Sequence, residues 1–232
     1  MSQPPIEYAK NRAYELLEQS NAALERGEID EKGWFLAGQA VITPAYMSAD
    51  NPRAQSGHSG DEAHWTHARS LIADAVSRNG SFLDIGCASG YLMECMQRWL
   101  RQKGLEIEPY GLDIAAELAD LARRRLPHWV DRIHVGNALY WQPQMRFDFV
   151  RIGLEYVPSA RQKDLVQRLL LDVVAPGGHL IIGTYNEERD DTRVESSMED
   201  TVSSWGFTVA GRAERTHYHD ERLVYRVLWI DR

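Results

Sequence analysis

The run Phe82-Leu83-Asp84-Ile85-Gly86-Cys87-Ala88-Ser89-Gly90 sets an acid at the end of an apolar stretch and follows it with small residues. A strand entering such a turn, with a helix starting near Tyr91, lets a ligand lie against bare backbone at a helix N-terminus. Phosphate-binding dinucleotide loops carry glycine as G-x-G-x-x-G, whereas Gly86 and Gly90 stand four apart behind an acid. Asp84 would repel a phosphate and suits a ligand bearing an ammonium group. About twenty residues on, Tyr110-Gly111-Leu112-Asp113 ends a second apolar stretch, and an acid at that place can accept both hydroxyls of a ribose. Read alone, Asp113 also fits the N-cap of a helix over Ala115–Arg125. Asn137, in Val135-Gly136-Asn137-Ala138, offers an amide that can donate to and accept from the edge of a base, although a lone Asn is also an ordinary turn residue.

These residues need elements to hold them. Beyond Gly80, short apolar runs alternate with helical ones: Ser81–Ile85, Tyr91–Lys103, Glu108–Leu112, Ala115–Arg125, Arg132–Val135, Phe147–Ile152, Arg161–Val174 and His179–Tyr185. That rhythm predicts βαβ units, hence an α/β fold with a doubly wound, mostly parallel sheet. Past a helix near Ser197–Trp205, the strands Phe207–Glu214 and Leu223–Trp229 flank a polar turn at His219-Asp220, so one of them must run antiparallel. Upstream, Ile6–Arg26 has helical spacing and Gly27 ends it. Between Asp30 and Gly60 periodicity is lost, but Trp34, Phe35, Val41, Ile42 and Tyr46 are too apolar for a linker, which predicts an ordered cap or lid. Asp61 caps a further helix through Trp65, Leu71 and Ile72. The expected division is an N-terminal helix and cap over 1–60 and a ligand-binding domain over 61–232.

A chain of 232 residues with 44% hydrophobic residues can bury one full core. Its formal charge of -8 makes nucleic acid an unlikely partner. The sequence shows neither a signal peptide nor a membrane-length apolar run, which predicts a cytoplasmic protein. Cys87 and Cys95 build no disulfide framework or metal-ligand spacing, so two reduced thiols and no metal are expected.

Taken together, FLDIGCASGYL, YGLDI, VGNAL, FDFVRIGLEYVP and APGGHLII resemble, in order and spacing, the class I Rossmann-like S-adenosylmethionine-dependent methyltransferases, from about Asp61 onward. The resemblance implies a seven-stranded sheet with a terminal antiparallel hairpin, and S-adenosylmethionine as cofactor with S-adenosylhomocysteine as product. It places the methionine part at Asp84 and the backbone of Gly86, Cys87, Ala88 and Gly90, the ribose at Asp113, one adenine face at Ile114 and the adenine edge at Asn137 and Ala138. Ile152 is expected to contact the cofactor. Two departures stand out: Ala88 replaces a common glycine, and Glu155-Tyr156 replaces a common Glu-His pair after a segment about two residues short.

The sulfonium makes its methyl carbon electrophilic, so the protein must align an acceptor lone pair behind the carbon–sulfur bond and exclude water. Glu155 and Tyr156, after the fourth strand, are the expected catalytic pair, with His58, His64 and Tyr185 as further bases. Arg151 can meet a carboxylate of cofactor or acceptor or form a surface ion pair. His64 with His67, and His217 with His219, lack a convincing third metal ligand. Trp34, Phe35, Tyr46 and Trp65 can wall the sulfonium or simply pack. Methyl transfer to an oxygen or nitrogen of a small molecule is the expected function. Protein or RNA methylation, and a non-methylating nucleoside-binding protein such as a sensor or an aminopropyl transferase, are the alternatives.

Overall fold

In the computed structural model, which describes residues 6–184 and 198–232, the apolar run ending at Asp84 is a strand, β1 (Gly80–Ile85), buried from Ser81 onward. Six more strands join it: β2 (Ile107–Asp113), β3 (Ile133–Val135), β4 (Phe147–Ile152), β5 (Val174–Thr184), β6 (Gly211–Thr216) and β7 (Val224–Asp231). Their order is β3-β2-β1-β4-β5-β7-β6, with β7 antiparallel to both β5 and β6. The fold is therefore the expected α/β sheet, parallel except for one strand. The predicted strand from Phe207 starts only at Gly211, while Phe207 and Val209 pack on the core.

Alternation along the strands divides the core between the two faces of the sheet. Leu83, Ile85, Val150 and Ile152 join the cluster on one face, and Phe82 and Phe149 join the other. By the same period of two, Asp84 and Arg151 lie on the Phe82 and Phe149 side, in register on adjacent strands. Chain order reverses between β1 and β4, where neighbouring connections diverge to opposite faces and leave a crevice at the strands' carboxyl ends.

Among the described residues, seven α-helices surround the sheet. α1 (Ile6–Glu25) ends at Gly27, whose φ of 71° closes it as expected. α2 (Glu31–Ser48) corrects the aperiodic cap: it is a continuous helix of 18 residues that contains Gly33, Gly38 and Pro44. Asp30 caps it by accepting the Gly33 N–H at 2.7 Å. Its period was hidden because one face packs on α1 while another lines the crevice, so no single apolar stripe exists. α3 (Glu62–Arg69) begins at Asp61, which accepts the His64 N–H, and continues as a tighter turn through Ala75. α4 (Tyr91–Gln102), α5 (Ala116–Arg125) and α7 (Met198–Ser204) fall where the sequence places them. α6 (Gln162–Arg168) widens into a π turn over Leu169–Val173, so the predicted helix changes pitch midway.

Candidate active site

The turn between β1 and α4 is held left-handed at Gly86, Ala88 and Gly90, with φ of 75°, 45° and 75°. Four of its amides are already committed. Gly86 and Cys87 donate to the Leu112 carbonyl at 2.7 and 3.1 Å, Gly90 donates to the Cys87 carbonyl, and Ala88 donates to the Asp113 carboxylate at 2.8 Å. The left-handed region costs an ordinary residue about 1–2 kcal/mol, and the bond to Asp113 holds Ala88 there. Glycine at 86 is required for another reason: a Cβ there would lie 2.5 Å from the Tyr156 ring. A loop with its amides so used presents a surface to a ligand but few donors to an anion.

Over this turn lies a cavity with two connected compartments. The first is lined by Ile85, Asp113, Ile114, Asn137, Ala138 and their neighbours, under Trp34, Phe35 and Ile42 of α2. Its empty space is about 930 Å³, part of which is open solvent. Asn137 Oδ1 accepts the Leu139 N–H at 2.9 Å, which fixes the plane of the amide. The second compartment is lined by Trp65, Arg69, Asp84, Cys87, Arg151 and Leu92. Leu17 of α1, Tyr46 of α2, Gly86, Glu155 and Tyr156 border both. Tyr46 reaches this position because Gly57, with φ of 80°, has no side chain: a Cβ there would lie 2.0 Å from the Tyr46 hydroxyl. The segment that carries Gly57 is tied to the β1–α4 turn, since Ser56 and Ser89 share a hydrogen bond of 2.8 Å and Ser89 donates to the Pro52 carbonyl.

Burial dominates the electrostatics. Asp84 is pushed up to about 6 by desolvation, although Arg151 Nη1 lies 3.3 Å away and favours its charge. Asp113 is likewise raised to about 6 by burial, against the opposing bonds from Ala115 and Ala88. Burial also raises Glu155 and Cys87 and puts the Tyr156 hydroxyl at about 12. Arg151 Nη1 donates to the Tyr156 hydroxyl at 3.0 Å and to the Ile85 carbonyl at 3.4 Å, which sets the plane of its guanidinium.

The structure thus gathers Asp84, Gly86, Cys87, Ala88, Asp113, Ile114, Asn137, Ala138, Glu155 and Tyr156 at one cavity. It sets two expected residues apart from the lining. Ile152 is fully buried in the core, because alternation turns Arg151 to the cavity instead. Gly90 caps α4, where a Cβ would strike Leu126 at 2.6 Å. His58 and His64 stand behind Trp65, in a cluster where His64 Nε2 meets the Tyr225 hydroxyl at 2.7 Å and the His64 ring stacks on Tyr218. Tyr185 lies outside the described residues. No group of three or more metal-ligating side chains occurs among the described residues, and no described helix is long and apolar enough to cross a membrane. Arg69 was missed, although a signal exists: it follows Trp65 by four on an otherwise apolar helical face.

The donor set fits S-adenosylmethionine: an apolar slot with an amide for adenine, an acid at Asp113 for a ribose, and an acid at Asp84 for an ammonium. Residues 59–223 match a family model described as a methyltransferase domain. The chain belongs to the class I S-adenosylmethionine-dependent methyltransferases. This methyltransferase is 27% identical, over 73% of its length, to a probable protein-L-isoaspartate O-methyltransferase of Dictyostelium discoideum, and spans about half (54%) of that relative. In fold it is similar to phosphoethanolamine N-methyltransferase 1 of Haemonchus contortus, with TM-score 0.62 and 10% identity over 89% of this chain and 51% of that one. It is also similar to a SAM-dependent methyltransferase of Aquifex aeolicus, with TM-score 0.52 and 14% identity over 78% of this chain and 98% of that one.

Proposed function

We propose that this methyltransferase moves a methyl group from S-adenosylmethionine to an oxygen or nitrogen of a small molecule held in the second compartment. One observation carries the reading: that compartment is bounded below by buried Asp84, Arg69 and Arg151 and roofed by Leu17 and Tyr46 of the α1–α2 pair. A folded protein or an RNA would have to displace the roof to reach it. In this reading Asp113 holds the ribose, Ile114 packs on adenine and Asn137 with Ala138 meets its edge. Asp84 takes the ammonium. Because four of the loop amides are spent, the methionine carboxylate falls to the Arg69 guanidinium, which enters the same compartment from α3.

The cofactor supplies an electrophilic methyl, and the protein supplies alignment and dryness. Glu155 and Tyr156 stand where the compartments meet and orient the acceptor. The test is a small-molecule extract incubated with the protein and methyl-labelled cofactor, with the labelled product identified by mass. Labelled small molecule with matching S-adenosylhomocysteine supports the reading. Label confined to protein, including an isoaspartyl peptide offered in parallel because of the Dictyostelium relative, or to RNA, overturns it. Release of 5'-methylthioadenosine would mark aminopropyl transfer instead.

A further inference from the structure

We infer that Gln39 of α2 reads the 6-amino group of the cofactor's adenine, an inference that rests on the placement of adenine in the first compartment proposed above. Part of the cofactor's selection then lies on a helix outside residues 59–223, the stretch that matches the methyltransferase family.

Adenine presents two kinds of group at its edges: ring nitrogens, which accept hydrogen bonds, and one exocyclic amino group, which donates. The turn at Asn137 and Ala138 is matched to the first kind. Asn137 Oδ1 accepts the Leu139 N–H at 2.9 Å, the Asn137 carbonyl accepts the N–H groups of Tyr140 and Trp141 at 2.9 and 2.7 Å, and the Ala138 carbonyl accepts Arg168 Nη1 at 2.7 Å. These three oxygens are engaged within the protein. The Asn137 side chain keeps its nitrogen for a ligand, and that nitrogen donates, as a ring nitrogen of the base requires. The amino group needs an acceptor of its own.

Gln39 and Thr43 stand about one turn apart on α2, and both line the first compartment. Gln39 Nε2 donates to the Phe35 carbonyl at 3.3 Å, which decides the end of the amide that turns back to the helix. Oε1 is the end that serves a ligand, and it can only accept. The Thr43 hydroxyl can rotate to donate or to accept and so discriminates poorly. A donor at Asn137 and an acceptor at Gln39 are the complement of the acceptor and the donor on adenine.

Two ties fix α2 with respect to this edge. Glu31, in the first turn of the helix, accepts from the Tyr140 hydroxyl and pairs with Arg161, and Tyr140 belongs to the same turn as Asn137. Trp34 Nε1 donates to Asn21 Oδ1 at 3.0 Å and binds the helix to α1. Gln39 follows Glu31 by about two turns of a helix anchored in this way. A contact made from an anchored element loses little freedom when the ligand arrives.

The test needs no methyl acceptor. Calorimetry on the full chain compares S-adenosylhomocysteine with the analogue in which hydrogen replaces the 6-amino group. The parent should bind S-adenosylhomocysteine about three- to tenfold tighter, as one neutral hydrogen bond would give. Gln39→Met keeps the length of the side chain and removes its oxygen, so the preference should vanish while affinity for the analogue is retained. Thr43→Val should keep the preference, and Asn137→Ala should weaken both ligands alike. Equal binding of the two ligands to the parent overturns the inference whether or not a variant folds, and so does a folded Gln39→Met that keeps the preference. If Asn137→Ala weakens neither ligand, the placement of adenine falls and the inference with it; if it weakens both and the parent shows no preference, only the role of Gln39 falls.

Discussion

Ala88 and Asp113 are joined across two turns: the Ala88 amide donates to one carboxylate oxygen at 2.8 Å, while the other oxygen accepts the Ala115 N–H at 2.9 Å. Asp113 therefore shapes the β1–α4 turn and the start of α5 as well as facing the proposed ribose. Asp113→Ala should cost about 1–3 kcal/mol in the ligand-free protein, because two amides lose their acceptor. It should also remove most of the ligand-induced stabilisation, roughly 2.7 kcal/mol or 5–11 °C with S-adenosylmethionine at about a hundred times its Kd. Thermal melts with and without the ligand measure both effects. A folded variant that binds as tightly as the parent would refute the ribose role.

The buried acids set opposite pH trends for stability and binding. Asp84 and Asp113 are raised to about 6 in the folded protein, from an ordinary value near 4. Between those values the folded state holds protons that the unfolded chain has released, so ligand-free stability falls as pH rises across about 4 to 6. Binding runs the other way, since an ammonium and ribose hydroxyls favour the ionised acids. Affinity should rise through about pH 6 and level off near 7, so that calorimetry finds it weaker by about tenfold or more at pH 5. A flat profile would separate both acids from cofactor binding.

Tyr156 and Arg151 share a bond of 3.0 Å in the compartment proposed for the acceptor. Tyr156→Phe should leave S-adenosylhomocysteine affinity unchanged while it raises the acceptor KM several-fold. The variant should keep the parent's pH profile, because a hydroxyl held at about 12 is a poor base near neutrality. Unchanged kinetics would restrict Tyr156 to packing.

Gly86→Ala tests the closeness of loop and ring. The added methyl group would meet Tyr156 at 2.5 Å on a backbone with φ of 75°. The expected cost is about 1–3 kcal/mol, with cofactor affinity reduced, as read from denaturant unfolding and calorimetry. A neutral effect would show that the ring yields freely.

The segment that follows α2 and carries Gly57 offers a test of movement. If the segment from Ser48 to Gly60 opens to admit ligand, limited proteolysis should cut there in the free protein and spare it when S-adenosylhomocysteine is bound. Equal cleavage in both states would mark a static cap.

The gathering of Asp84 and Asp113 at one cavity was legible because its signal is local: each acid ends its own apolar run, and a βαβ unit fixes the interval between them. Strand type and the single antiparallel strand were legible for the same reason. The second compartment was not, since Leu17, Tyr46 and Arg69 reach it from three separate helices, and only tertiary packing brings them together. Helix α2 escaped the periodic reading because burial on two faces erased its stripe. Ile152 was taken for a lining residue where its neighbour Arg151 lines, a displacement of one position that turns a strand residue to the other face.

β7 follows β6 along the chain yet lies between β6 and β5. Neither β6 nor the outer edge of β5 has a partner until β7 inserts, so sheet completion is a late, non-local event, of the kind that slows folding. During that interval the β5 edge is the adhesive surface of the chain. β6 is better protected: Arg212, Glu214 and Thr216 alternate outward along it, and Arg212 pairs with Glu199 at 2.7 Å. Replacing those charges with apolar residues would change little in the finished sheet, but it would expose a second adhesive edge to neighbouring chains while folding is incomplete.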